Sequence, residues 1–311
     1  MRCLYPRTVG FKADGNSIAW SQKERSREYA PFQLPCGKCI DCRLEYARSW
    51  AIRCVHEAQM HEKNSFITLT YDDEYLPKDR KLDYRDFQLF MKRLRKLQDE
   101  PIGVFVTGEY GDKTKRPHWH ACLFGWSPSD PKFKYTNERG DQNFSSETLT
   151  NTWGLGLSEF GQVTIHSASY CARYAAKKLV HGADGTHEFN PISRKSSKHA
   201  IGKRFLESYY KDIFSVGKCV LRDGTHCSIP RYYEKWLKEK HPDEWLRYIR
   251  DVKSTQQLQS TQSLQRQMDA DLRDYERGRG IRNQAWLDDR ADARKTILEQ
   301  KLNHLLDHEK I

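Results

Sequence analysis

GVFVTGEYGDKTKRPHWHACLF, residues 103–124, decides the fold. Two runs of β-forming residues, Gly103–Glu109 and His118–Phe124, flank the turn-rich GDKTKRP, and this spacing predicts a β-hairpin. Successive side chains on a strand point to opposite faces, so Val104 and Val106 align with Trp119, Ala121 and Leu123 on one side. Thr107, Glu109, His118 and His120 take the other side. The hairpin therefore has a core face and a polar face, and the polar face carries a carboxylate and two imidazoles.

Working outward, SFITLTYDDEYLP (65–77) repeats the pattern: Ile67 and Leu69 face the core, Thr68 and Thr70 the polar side, and Pro77 closes the strand. Apolar residues recurring at three and four predict helices over Arg43–His61 and Tyr84–Leu97. Downstream, 125–161 reads as a turn-rich excursion with one short helix near Thr148. Gln162–His166 reads as a fourth strand and Ser169–Val180 as a helix. Residues 182–230 read as basic loops with a helix around Phe205–Tyr210, and beyond Pro230 the chain turns charged, Gln-rich and helical. Segment 1–35 shows no period and is expected to be irregular. The order α-β-α-β-β-β-α predicts an α+β fold, an antiparallel β-sheet with helices packed on one face.

Composition narrows the function. A chain of 311 residues is too long for a disulfide-stapled miniprotein. No apolar run approaches the roughly 20 residues of a membrane span, and the N-terminus lacks a signal peptide's apolar core, so neither a membrane protein nor an exported one is expected. The net charge is +11, and residues 251–311 hold 11 basic and 11 acidic side chains, so the whole excess lies in residues 1–250. That part of the chain reads as a surface for a polyanion. No P-loop and no internal repeat occur, which excludes an ATP-driven engine.

His118 and His120, at i and i+2 of one strand, stand about 6.5 to 7 Å apart on one side. With Glu109 on the neighbouring strand they form a donor set for a divalent ion that keeps positions open for substrate oxygens; the alternative is ordinary strand residues. Tyr170 and Tyr174, at i and i+4, share one helix face with Lys177, while Cys171, Ala172, Ala175, Ala176 and Leu179 supply the buried side. Packing alone is the other reading of the tyrosine pair. Together a metal site and a phenol describe in-line attack of tyrosinate on a phosphodiester, with Lys177 or the metal helping to generate the anion. A phosphotyrosine bond conserves the cleaved linkage, so rejoining needs no ATP.

The nine cysteines are an odd number in a chain with no export signal, which favours reduced thiols or metal ligands. Cys36, Cys39 and Cys42 follow Cys-x-x-Cys-x-x-Cys spacing. Ferredoxin-type iron–sulfur ligation would want a cysteine at position 46, which is Tyr46. A structural Zn²⁺ completed by Cys3, with Cys54 or His56 as substitutes, stands beside buried reduced thiols as the reading of this segment. His56-Glu57 followed by His61 is one residue too long for a zincin helix.

Taken together, FITLT (66–70), GEYG (108–111), RPHWHACLFG (116–125) and YCARYAAKK (170–178) resemble the HUH endonucleases, and within them the replication initiators of microviruses, the small single-stranded DNA phages. PCGKCIDCR (35–43), SRKSSKHAIGKRF (193–205) and IPRYYEK (229–235) are similar to the gokushovirus-type branch, and the resemblance covers residues 1–240. It implies rolling-circle initiation: one tyrosine nicks the origin strand and becomes linked to its 5′-phosphate, and the second acts when a unit length has been copied. It assigns His118, His120 and Glu109 to Mg²⁺ or Mn²⁺, Tyr170 and Tyr174 to alternating nucleophiles, and Lys177 to an assisting cation. Single-stranded origin DNA, host DNA polymerase and helicase are the implied partners, and the cytoplasm of the bacterial host the implied location. The implied division is a Cys-rich segment with its helix over 1–62, an HUH endonuclease core over 63–181 with an insertion at 126–161, a basic accessory region over 182–240 and a charged helical tail over 241–311. A plasmid or transposon nickase of the same chemistry, or a noncatalytic single-strand binding module, is the alternative.

Overall fold

The computed structural model describes residues 3, 5–15, 17–111, 115–177, 192–196, 199–276, 292–293 and 295–300. The chain divides into two units, residues 1–45 with 257–311, and residues 46–256.

In the first unit β1 (Arg7–Phe11), β2 (Ile18–Ala19) and β3 (Phe32–Leu34) form a small antiparallel sheet in the order β2-β1-β3. The register sets Phe11 opposite Ile18 and Arg7 opposite Leu34. This corrects the expectation that 1–35 is irregular. Strands of five, two and three residues are too short to display a period, and the turn joining β1 to β2 is held by Asp14, whose Oδ1 accepts from the Ser17 amide at 2.8 Å.

α1 (Ile40–Ala58) leads into the second unit, which is built on a seven-stranded sheet. Its strands are β4 (Asn64–Tyr71), β5 (Gly103–Tyr110), β6 (Pro117–Phe124), β7 (Lys132–Thr136), β8 (Gln142–Ser145), β9 (Gly156–Gly161) and β10 (Ile192–Lys195). The order is β10-β5-β6-β4-β9-β8-β7, with antiparallel pairing throughout. The helices are α2 (Tyr84–Leu94), α3 (Glu147–Trp153), α4 (Ile165–Lys177), α5 (Lys203–Val216), α6 (Arg231–Lys240), α7 (Pro242–Arg247) and α8 (Ser254–Glu276). A two-stranded ribbon, β11 (Cys219–Val220) with β12 (His226–Cys227), follows α5.

The expected core face is the observed one. Ile67, Leu69, Val104, Val106, Trp119, Ala121 and Leu123 pack with Phe87, Phe90, Met91 and Leu94 of α2 and with Leu149 and Trp153 of α3. Each of these helices starts on a side-chain cap, Asp83 accepting from the Arg85 amide and Ser146 from the Leu149 amide. Inside this core the Trp119 indole donates to Tyr71 Oη at 3.0 Å, and Tyr71 donates to Asp86 at 2.8 Å. The buried polar atoms of the two large rings thus have partners.

Helices also lie against part of the second face. Phe105, Cys122, Phe124 and Phe66 pack there with Ala47, Trp50, Ala51 and Cys54 of α1 and Ala168, Cys171 and Ala172 of α4. The strand alternation accounts for this, because the second face is apolar at one end and becomes polar at Thr68, Thr70, Thr107, Glu109, His118 and His120. A third cluster joins Ile52 of α1 to Leu206, Ile213 and Phe214 of α5 and Tyr233, Trp236 and Leu237 of α6.

The fourth strand differs from the expectation. It is β9 at Gly156–Gly161, paired with the central β4, and Gln162–His166 instead opens α4. Thr164 caps that helix: its Oγ1 accepts from the Ser167 amide at 3.2 Å while Ser167 Oγ accepts from the Thr164 amide at 2.8 Å. Of the expected helix over 169–180, residues 178–180 lie outside the described ones, as do 182–191, 197 and 198 of the basic loops and 277–291 and 301–311 of the tail. Among the described residues no helix is long and apolar enough to cross a membrane.

Candidate active site

Three adjacent strands and one helix build the site. β6 sits between β4 and β5, with His120 opposite Thr68 and Thr107, and His118 opposite Thr70 and Glu109. Antiparallel pairing brings same-face side chains within reach across strands. Thr68 Oγ1 and His120 Nδ1 lie 3.0 Å apart, as do Thr70 Oγ1 and His118 Nδ1, so each imidazole is oriented through Nδ1 by a threonine hydroxyl. Nε2 of His120 donates to Glu109 Oε1 at 2.9 Å. Phe66 stacks parallel to the His120 ring, with centroids 6.0 Å apart.

Tyr170 enters from α4. Its hydroxyl donates to Glu109 Oε1 at 2.6 Å and stands 3.4 Å from His120 Nε2, with its ring edge-on to the imidazole. The helix is placed by Ala168, Cys171 and Ala172 packing on the apolar end of the same sheet face. The small residues of α4 thus fill the packing side and the phenol is delivered to the polar patch.

Glu109 and His120 are buried, and His118 is largely so. Burial first, and then the nearby His120, push the His118 imidazole down to about 4, so it is neutral at pH 7 and its nitrogen can serve as a ligand. Arg116, just before β6, donates to the Tyr71 carbonyl at 2.7 Å and pairs with Asp73.

Of the sequence-predicted residues, Glu109, His120 and Tyr170 are in contact. His118 is their neighbour, with its ring centroid 6.3 Å from that of His120. Tyr174 and Lys177 stand on α4, but their side chains lie outside the described residues. The donor set fits a divalent cation: two imidazoles are each held at Nδ1 by a hydroxyl, the supporting arrangement metal-binding histidines use, with a carboxylate beside them. In this arrangement Glu109 is hydrogen-bonded to His120 and to Tyr170. Sequence reasoning placed Thr68 and Thr70 on the polar face but missed their part in orienting the rings, which the strand register alone reveals.

The fold and site define a replication-associated protein: residues 64–179, from β4 through α4, match the family of replication-associated proteins of the ORF2 type. The chain is 47% identical over 314 residues to Replication-associated protein VP4 of Bdellovibrio phage phiMH2K, covering 98% of each chain. It is 33% identical over 218 residues to Replication-associated protein ORF4 of Chlamydia phage 1, covering 67% of this chain and 54% of that one. With Replication-associated protein ORF2 of Spiroplasma virus 4 it shares 30% identity over 276 residues, covering 81% and 85%. No solved structure matches the chain. The chain belongs to the phage replication-associated proteins, the microvirus-type rolling-circle replication initiators.

Proposed function

We propose that this initiator nicks single-stranded origin DNA with Tyr170 and rejoins the copied strand by reversing the same chemistry. The observation that carries the reading is the Tyr170 hydroxyl donating to Glu109 Oε1 at 2.6 Å beside His120. A buried carboxylate on the phenol proton is placed to accept it as the oxygen attacks phosphorus. The new bond joins Tyr170 Oη to the 5′-phosphate. The P–O3′ bond breaks, and the departing 3′ oxygen takes up a proton to become the primer hydroxyl for host polymerase. Tyr174, four residues further along α4, is assigned the second nucleophile and Lys177 the assisting cation, both from their spacing on the helix.

Glu109, His118 and His120 would hold Mg²⁺ or Mn²⁺. When bound, such an ion supplies positive charge that polarises a non-bridging phosphate oxygen and stabilises the pentacovalent centre. The threonine hydroxyls keep the two imidazoles aimed in either case. Host polymerase and helicase are the partners this cycle calls for, in the cytoplasm of the bacterial host.

The test is incubation of the purified protein with origin-derived single-stranded DNA and Mn²⁺. A covalent protein–DNA adduct is expected, retained at reduced yield by Tyr170→Phe or Tyr174→Phe and absent in the double variant. Adduct persisting in the double variant would place the nucleophile elsewhere. A purely reversible, salt-sensitive complex in the wild type would make the chain a binding module.

A further inference from the structure

Cys3, Cys36, Cys39 and Cys42 play no part in the proposed chemistry, yet their four sulfurs all lie within 4.8 Å of one another. Among the described residues this is the one group of three or more metal-type side chains gathered so closely. Cys3 Sγ and Cys39 Sγ are 3.8 Å apart, and Cys36 Sγ and Cys42 Sγ 4.0 Å. These separations are far too long for disulfides. Zn–S bonds of about 2.3 Å in a regular tetrahedron place sulfurs about 3.8 Å apart, so the spacing is that of four ligands around one ion. A four-iron cluster needs its cysteines further apart than a single ion does.

The backbone supports thiolates. The Cys36 amide donates to Cys3 Sγ at 3.2 Å, and the amides of Lys38 and Cys39 donate to Cys36 Sγ at 3.4 and 3.3 Å. Gly37, at φ 75°, supplies the left-handed step that lets the chain fold back over the sulfur. Cys39 immediately precedes α1 and Cys42 sits in its first turn, where the helix end favours negative charge. Cys54 and His56, the alternative fourth ligands, are engaged elsewhere: Cys54 is buried in the core with Cys122 and Cys171, and His56 Nδ1 shares a hydrogen bond with Tyr233 Oη at 2.9 Å.

From this geometry we infer that Cys3, Cys36, Cys39 and Cys42 form a closed structural site for one zinc ion, which fastens the two ends of the β1–β3 sheet together. Arg7 pairs with Leu34, so Cys3 before β1 and Cys36 after β3 leave the sheet at the same end. That sheet has little apolar burial of its own, with only Val9 and Ala19 buried in its strands. Small elements of this kind are where metals supply folding energy.

The test uses the full chain, purified under reducing, chelator-free conditions. About one zinc per chain is expected by elemental analysis. Replacement by Co²⁺ should give the intense visible and thiolate charge-transfer bands of a tetrahedral sulfur site. Cys39→Ser and Cys42→Ser should each lower zinc content at least fivefold, whereas Cys227→Ser should leave it unchanged. In wild-type protein, a strong chelator should raise amide exchange in β1 and β3 at least tenfold while β4 and β6 keep their protection, a readout that does not depend on the variants folding. Absence of metal, iron with labile sulfide, or cysteines recovered as disulfides would each overturn the assignment.

Discussion

Glu109 Oε1 accepts two hydrogen bonds, from Tyr170 and from His120, so one oxygen serves both the phenol proton and the imidazole. Glu109→Gln keeps an accepting oxygen but cannot take a proton, and adduct formation is expected to fall about 10²- to 10⁴-fold. Single-strand affinity, read by fluorescence anisotropy without metal, should change less than twofold; an unaltered adduct yield would show that the carboxylate is dispensable. Thr68→Val and Thr70→Val keep side-chain shape and remove the hydroxyl at Nδ1. Each should weaken Mn²⁺ binding by about 10- to 100-fold in calorimetric titration, and equal affinity would mean that the threonines only pack. Glu109, His118 and His120 were legible in the sequence because a period of two puts them on one face without knowledge of the rest of the chain. The bond from Tyr170 to Glu109 was not, because it depends on α4 seating Ala168, Cys171 and Ala172 on Phe105 and Cys122, a long-range packing event.

The elements most distant in sequence from a clear period were the ones misread. β9 carries two glycines and a charged residue in six positions, GLSEFG, while Gln162–His166 alternates convincingly yet yields to the cap formed by Thr164 and Ser167. Gly156 explains how β9 lies so close to its partner. At φ 142° a Cβ there would sit 2.3 Å from the Asp72 amide nitrogen and 2.4 Å from the Thr70 carbonyl oxygen. Gly156→Ala therefore forces β9 off β4, and a loss of roughly 1–3 kcal/mol in urea unfolding is expected; unchanged stability would show that the strand gives way freely. Between helices, His56 of α1 stacks on Phe205 of α5 and meets Tyr233 of α6. Burial pushes its imidazole down to about 4 from the ordinary value near 6.5. The unfolded chain therefore binds the extra proton first. The stability due to neutral His56 is complete above about pH 6.5 and lost as pH falls toward 4. Between pH 7.5 and 5, wild-type stability should drop about 2 kcal/mol more than that of His56→Gln, which cannot titrate. Parallel pH profiles would refute the assignment.

For the whole molecule, the charge excess within residues 1–250 coincides with most of the unit that carries the site. Single-strand affinity should accordingly fall on the order of tenfold or more between about 50 and 200 mM salt, measured by anisotropy; a flat response would mean that charge does not drive binding. The α+β class and the central hairpin were readable from local pattern. The β1–β3 sheet and the division into two units were not, since short strands and chain-end pairings leave little periodic trace. The sheet register also has a consequence for folding errors. His118 and His120 flank Trp119, and Thr68 and Thr70 flank Leu69, so the catalytic and core side chains are interleaved on the same strands. A strand paired one residue out of step would turn Trp119 to water and drive both imidazoles into the apolar interior, losing the core and the site together. Such a molecule has no intermediate condition in which it is misassembled yet still armed. For an agent that cuts DNA inside a cell full of it, failure of assembly is thereby coupled to loss of the blade.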